Sequence, residues 1–158
     1  MSRCMLALLM LAISASATAE IRSFPLFSID VPTEWICDIE EKPTPSGLLL
    51  QGELISIYRP DGIGVLKMST YDVPYPVSQD RLRMLTNVER STVLEWQVWG
   101  DFSGYQYSYV ENQSFFKQWW LSNEGTILLI TYESSDNEPQ VEIGTIEEML
   151  NSIKINRI

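Results

Sequence analysis

The sequence predicts an α+β domain of seven or so strands and two helices, with the strands arranged in antiparallel hairpins. Two observations lead to this prediction. Short segments that alternate apolar and polar residues follow one another through most of the chain, separated by turn residues, and only two segments have helical periodicity. The strands cluster together and do not alternate regularly with helices. This order favours α+β over a parallel α/β arrangement.

The strands of the first half are marked by alternation and by turn chemistry. The segment 27–31 alternates apolar and polar residues, and Pro32 ends it. The segments 48–58 and 65–71 are rich in aliphatic and β-branched residues, and the turn-forming sequence 59–62 lies between them. We therefore predict a strand followed by a long hairpin.

The two helices are predicted from capping residues and apolar spacing. The first begins after Ser78, which can cap it, and Leu82, Leu85 and Val88 line one face of it. The second begins at Thr145, which has capping-box spacing, with Pro139 as an earlier alternative start. Its apolar face consists of Ile146, Met149, Leu150 and Ile153. The second helix is expected to pack on the sheet.

The N-terminal residues 1–19 have the three parts of a cleavable export signal. Arg3 precedes the apolar run 5–13, and small uncharged residues follow up to Ala19. The apolar run is much shorter than the roughly 20 residues that span a bilayer. We predict cleavage after Ala19 and a single exported domain, residues 20–158, located in the periplasm or outside the cell.

The charge of the chain restricts its partners. The sequence has 11 basic and 21 acidic residues, and loss of Arg3 with the signal leaves 10 against 21. Such a domain is a poor ligand for nucleic acid and for anionic lipid headgroups, and it attracts basic proteins or divalent cations. The alternative is that acidity only keeps an exported protein in solution. We expect a protein partner, for which a basic protein is one candidate, and no membrane-embedded segment in the mature chain.

The absence of histidine excludes much familiar site chemistry. With no histidine in the sequence, Ser-His-Asp triads, Cys-His pairs and histidine-containing zinc sites are ruled out. Cys37 is the single cysteine after the signal, and we predict that it is a small packed side chain. The adjacent acidic pairs at 40–41 and 147–148 point apart on a strand or helix, which indicates surface. We predict no catalytic residue, cofactor or metal site.

Aromatic residues are the most distinctive feature of the second half. Ten of the 25 residues in 96–120 are aromatic. Strands are predicted at 94–98, 105–109, 115–121 and 126–132. This places aromatic side chains on both faces of the strands, and one face must be core. The other face is either covered as well or forms a recognition patch, since Trp and Tyr are enriched at interface hot spots. The predicted candidates for partner binding are Trp99, Tyr105, Tyr107 and Trp119.

The chain resembles the PsbP-like superfamily. The resemblance rests on Phe27-x-Ile29-x-Val31-Pro32-x-x-Trp35, on the paired hairpins, and on a last helix that runs into residues 151–155. It implies a central antiparallel sheet of about six to seven strands between helices, an α/β/α sandwich, and a non-catalytic binding module. The superfamily includes photosystem accessory subunits, a Ran-binding nuclear import factor and exported bacterial proteins. Histidine metal ligands of some photosynthetic members have no counterpart here.

Three functional hypotheses follow from these observations. The first is an exported, non-enzymatic protein-binding or accessory domain. The second is an immunity-type inhibitor whose carboxylates block the active site of a basic secreted toxin, because complementary charge speeds capture. The third and least favoured is a carboxylate-based enzyme or a calcium-dependent binding protein that uses Asp61 or the acidic segment 133–138.

Overall fold

Ten strands and two helices make up the described part of the chain. The structure, a computed structural model, describes residues 18–41, 50–135 and 140–156. The elements are β1 (Ala19–Ser23), β2 (Phe27–Pro32), β3 (Ile36–Glu41), β4 (Leu50–Tyr58), β5 (Gly64–Asp72), α1 (Gln79–Leu85), β6 (Glu95–Trp99), β7 (Phe102–Glu111), β8 (Ser114–Asn123), β9 (Thr126–Ser134), α2 (Gln140–Asn151) and β10 (Lys154–Ile155). Most of the predicted export signal, the alternative helix start at Pro139 and the acidic residues 136–138 lie outside the described residues.

A seven-stranded antiparallel sheet organises the domain. Its strand order is β3-β4-β5-β9-β8-β7-β6, and a smaller sheet has the order β1-β2-β10. Neighbours in the large sheet are consecutive along the chain except β5 and β9, whose nine-residue pairing joins the two sets of hairpins. The predicted strands and hairpins are confirmed, and the small sheet adds two short strands that sequence periodicity did not reveal.

The two helices lie on opposite faces of the large sheet. Trp119 and Trp120 are neighbours on β8, so their side chains point to opposite faces. Trp119 belongs to a large core cluster with the buried residues of α2, whereas Trp120 clusters with Leu82 of α1. We call the first face the covered face and the second the open face. The predicted sheet flanked by helices is therefore confirmed.

The covered face holds the main hydrophobic core. Fully buried side chains from the central strands pack there against α2 and against Phe27, Ile29 and Val31 of the small sheet. Cys37 packs partly buried beside this core, and burial is the main cause that raises the pKa of its thiol. A raised pKa keeps the thiol protonated and unreactive near neutral pH, which fits the predicted packing role.

Helix α1 begins as predicted but ends earlier than its apolar pattern indicates. The Ser78 side chain caps it by accepting a hydrogen bond from the backbone N–H of Arg81 at 3.3 Å. Leu82 is fully buried and Leu85 is 51% exposed, and Val88 lies beyond the helix, so the predicted apolar face is buried only at Leu82. The helix ends at Leu85 because the loop that follows is held by Arg83, whose guanidinium donates to the carbonyl oxygens of Val88, Glu89 and Thr92.

Helix α2 begins before the predicted start at Thr145. It includes Gln140 to Gly144, so the preferred start is wrong and the earlier alternative is closer. Glu142 explains the difference, because its carboxylate is 1% exposed and accepts a hydrogen bond from the backbone N–H of Ile63 in the β4–β5 turn. The predicted apolar face is confirmed by the burial of Ile146, Met149, Leu150 and Ile153.

The link between α2 and the β4–β5 turn predicts a stability effect. Replacing Glu142 by alanine leaves the Ile63 N–H without its partner, and we expect the free energy of unfolding to fall by about 1–3 kcal/mol. Glu148 is an exposed carboxylate on the same helix, so Glu148→Ala is the matched control and should change stability by less than about 0.5 kcal/mol. Urea unfolding of both variants measures the difference. Equal effects would mean that the Glu142 contact is not stabilising.

Candidate functional site

The open face is covered over only part of its area. Helix α1 packs above β7 and β8, where Leu82, Trp120 and Ile127 form a small buried cluster. Beyond this cluster, no other helix of the described ranges packs on the open face. The remaining strands therefore present their outward side chains to solvent, which makes this face the main candidate for an interaction surface.

A run of aromatic side chains crosses the exposed part of the open face. We call it the aromatic row, and it consists of Trp96, Tyr105, Tyr107, Tyr109 and Phe116. The strand register places all five on this face. Their rings contact one another in pairs: Trp96 and Tyr105 meet edge to face with centroids 4.9 Å apart, and Tyr109 and Phe116 stack at 5.0 Å. None of the five is fully buried, and Trp96 is 36% exposed.

Two of the four predicted binding residues lie in the core. Trp99 is 5% exposed and Trp119 is 0% exposed, and both point to the covered face, where their rings meet edge to face. Their predicted exposure is therefore wrong. The physical reason is register, because Trp119 is paired with Ile130 and Trp99 with Phe102, both core residues of the covered face.

The other two predicted residues lie on the open face. Tyr105 and Tyr107 are partly buried at the edge of the α1 cluster, and they form the middle of the aromatic row. Trp96, Tyr109 and Phe116 were not among the predicted binding residues. Tyr109 could have been found, since its alternation with Tyr105 and Tyr107 places all three on one face.

Carboxylates outnumber cations on the exposed strands of the open face. The carboxylate of Asp38 accepts a hydrogen bond from the Tyr58 hydroxyl at 2.9 Å, and that of Glu40 lies 4.0 Å from Lys67. Glu111 and Glu133 lie on another part of the open face, near Tyr109. Burial raises the pKa of Tyr109, and the negative charges of Glu111 and Glu133 raise it further. Both carboxylates are thus within electrostatic range of the aromatic row.

A polar cleft of about 280 Å³ lies on the covered face, lined by residues of β6, β7 and β8. Its charged and amide groups pair with one another: Lys117 Nζ lies 2.8 Å from Glu147 Oε1, and Gln106 Nε2 donates to Glu95 Oε2 at 2.7 Å. The Gln106 Oε1 atom is buried there without a hydrogen-bond partner, so one acceptor of the cleft remains unused.

No cluster of three or more cysteine or carboxylate side chains that could hold a metal ion is present among the residues described here. At the predicted calcium position, the carboxylate of Asp61 forms a two-point contact with the guanidinium of Arg59, at 3.1 and 3.2 Å. The longer described helix, α2, has 12 residues, and neither described helix has the apolar length that a membrane crossing requires.

Comparison with known proteins gives fold relationships. Neither a family model nor a curated protein matches the chain. Among solved structures, LpqN of Mycobacterium tuberculosis, a protein involved in cell envelope biogenesis, is similar with a TM-score of 0.51 and 17% sequence identity over 89% of this chain and 90% of LpqN. A Bacteroides thetaiotaomicron protein has a TM-score of 0.51 and 12% identity over 83% of this chain, which spans 45% of that protein. At these identities the likeness shows a shared α+β fold.

Proposed function

We propose that this chain is an exported, non-enzymatic domain that binds a protein partner on its open face. The observation that carries the proposal is the aromatic row, which lies on a sheet face that α1 leaves partly uncovered. Tyr and Trp contribute large contact areas at little cost in conformational entropy, and they are enriched among interface hot spots. The proposal keeps Tyr105 and Tyr107 as binding residues and adds Trp96, Tyr109 and Phe116.

The export part of the proposal rests on residues 1–19, with their basic, apolar and small segments. The envelope role of LpqN supports this location, and the sheet flanked by helices supports the PsbP-like resemblance. Production from the full sequence in a bacterial host provides a test. We expect the mass of the purified protein to correspond to a chain that begins at Glu20, and a mass that includes residues 1–19 would contradict cleavage.

The binding part of the proposal can be tested by affinity capture with a surface control. The bait is the exported chain carrying a C-terminal tag, exposed to native envelope and medium fractions. A variant with Trp96, Tyr107 and Tyr109 changed to serine should capture at least about tenfold less partner than the unchanged protein, because hot-spot side chains carry most of the binding energy. The control variant changes Ile21 and Val141 to serine. Both residues are exposed apolar side chains outside the open face.

The outcomes of the capture experiment distinguish binding on the open face from binding elsewhere on the protein. Loss in the aromatic variant alone would support the proposal. Equal capture by the aromatic variant, the control and the unchanged protein would overturn the open face as the binding site. Turnover of a substrate by the purified protein would overturn the non-enzymatic assignment.

The second candidate function is an immunity-type inhibitor, and the excess of carboxylates on the open face favours it. Such an inhibitor uses its negative charge to capture a basic toxin rapidly. The captured partner distinguishes the two functions. A partner whose enzymatic activity is blocked by one equivalent of this domain would be a toxin, whereas a partner that keeps or gains activity would indicate an accessory role.

A further inference from the structure

The outer end of the aromatic row has the most regular geometry on the open face. Tyr109 and Phe116 are directly opposite each other in the β7–β8 ladder. Their ring planes differ by 12° and their centroids lie 5.0 Å apart, while Tyr107 stacks on Tyr109 at 5.8 Å and 26°. Three partly exposed rings therefore form a continuous aromatic surface at this end of the sheet.

A carboxylate continues this line of side chains across the sheet. Glu133 on β9 is directly opposite Phe116, and Val65 on β5 is directly opposite Glu133. Opposite residues on neighbouring strands have Cβ atoms about 5 Å apart, so the exposed carboxylate of Glu133 stands between an aromatic and an aliphatic side chain. Glu111 lies two residues beyond Tyr109 on β7 and therefore on the same face.

The negative charge at this point is not neutralised within the described chain. Among the residues of the described ranges, neither Glu111 nor Glu133 forms a salt bridge, and Lys67, the lysine of the neighbouring strand, lies at 4.0 Å from Glu40. Ring faces carry negative electrostatic potential and attract cations. The carboxylates of Glu111 and Glu133 and the face of Phe116 that is not stacked on Tyr109 thus favour the same kind of ligand group, a cation.

We propose that Tyr109, Phe116, Glu111 and Glu133 form an arginine-binding site, which receives an arginine side chain of the protein partner. This inference rests on the proposed function, because it names the chemistry that the open face recognises. Arginine fits better than lysine, since its planar guanidinium can stack on an aromatic ring while its N–H groups donate to a carboxylate. An ammonium group is a point charge that is more strongly hydrated, so it gains less from the rings.

A peptide titration tests the arginine-binding site directly. The probes are acetylated hexa-arginine, the neutral hexa-citrulline and hexa-lysine, each added to the isotopically labelled exported chain at low salt. We expect hexa-arginine to shift the NMR signals of the Tyr109 and Phe116 rings, hexa-citrulline to shift neither, and hexa-lysine to bind at least about threefold more weakly. Equal binding of the arginine and lysine peptides would overturn recognition of the guanidinium.

Matched variants separate the arginine-binding site from general charge attraction. Glu133→Gln and Phe116→Leu should each weaken hexa-arginine binding by about tenfold, the effect of one charged or stacked contact at an interface. Glu148→Gln removes the same charge from an exposed position on α2, and it should weaken binding less than twofold. Equal weakening by Glu133→Gln and Glu148→Gln would overturn the site in favour of nonspecific attraction.

The captured partner distinguishes failure of this inference from failure of the proposed function. If the triple aromatic variant loses the partner and Glu133→Gln does not, the open face binds the partner and the arginine contact is wrong. If both variants retain the partner, the open face itself is not the binding surface. If both lose it, the arginine-binding site is part of the interface.

Discussion

Replacing Trp119 by alanine is expected to lower the free energy of unfolding by about 3–5 kcal/mol, the range for removal of a large buried aromatic side chain. Trp119 is fully buried, and its ring packs edge to face against Trp99 at a centroid distance of 6.3 Å. Removing it leaves a cavity at the centre of the covered face that neighbouring strands cannot close, because the sheet fixes their spacing. Denaturant unfolding monitored by circular dichroism measures the loss.

Trp96 provides the matched control for this prediction. Trp96 is also a tryptophan of the large sheet, in β6, but it is 36% exposed and contacts Tyr105 on the open face. We expect Trp96→Ala to lower stability by only about 1 kcal/mol, the energy of an aromatic pair. If the two substitutions have the same effect, the assignment of Trp119 to the core and of Trp96 to the surface is contradicted.

Replacing Gly104 by alanine is expected to lower the free energy of unfolding by at least about 2 kcal/mol, as overpacking does in a close-packed interior. A Cβ atom at Gly104 would overlap the backbone carbonyl oxygen of Trp120 on the neighbouring strand. Backbone atoms cannot move aside as a flexible side chain can, so β7 and β8 would have to separate. Loss of the β7–β8 amide protection in hydrogen exchange would locate the damage.

Gly144 provides the opposite control for the same substitution. It lies inside α2, and apart from its chain neighbours and the backbone of α2 itself, no atom lies within 4 Å of the position that its Cβ would take. Alanine has a higher helix propensity than glycine, so Gly144→Ala should raise the free energy of unfolding by about 0.5–1 kcal/mol. A destabilising effect at Gly144 would mean that space around α2 is more restricted than the structure shows.

Local signals were sufficient to predict most of the strand order. The turn residues at 112–113 and 124–125 lie between runs of alternating apolar residues, and Asn112, Gln113 and Glu124 have positive φ angles, as tight hairpin turns require. These two turns determine the β7–β8 and β8–β9 pairs, and pairing of consecutive strands accounts for five of the six neighbour relationships in the large sheet. The sixth, between β5 and β9, depends on contacts between distant parts of the chain, which local patterns do not encode.

The location of the candidate site could be predicted only in part. Alternation places Tyr105, Tyr107 and Tyr109 on one face, but it does not say which face α2 covers. Trp119 and Trp120 have equal sequence signals, and only the register with β9 assigns the first to the core of the covered face. Burial depends on which layer packs against each face of a sheet. The alternating pattern of one strand therefore does not determine which of its two faces is buried.

The small sheet determines how the domain would be presented on a surface. Strands β1 and β10, the first and last of the described chain, both pair with β2, and β2 packs in the core of the covered face. Both ends of the described chain therefore belong to a sheet that packs on the covered face, whereas the aromatic row lies on the opposite face. A tether attached at either end would orient the open face outward, so immobilised protein should bind its partner without obstruction from the attachment.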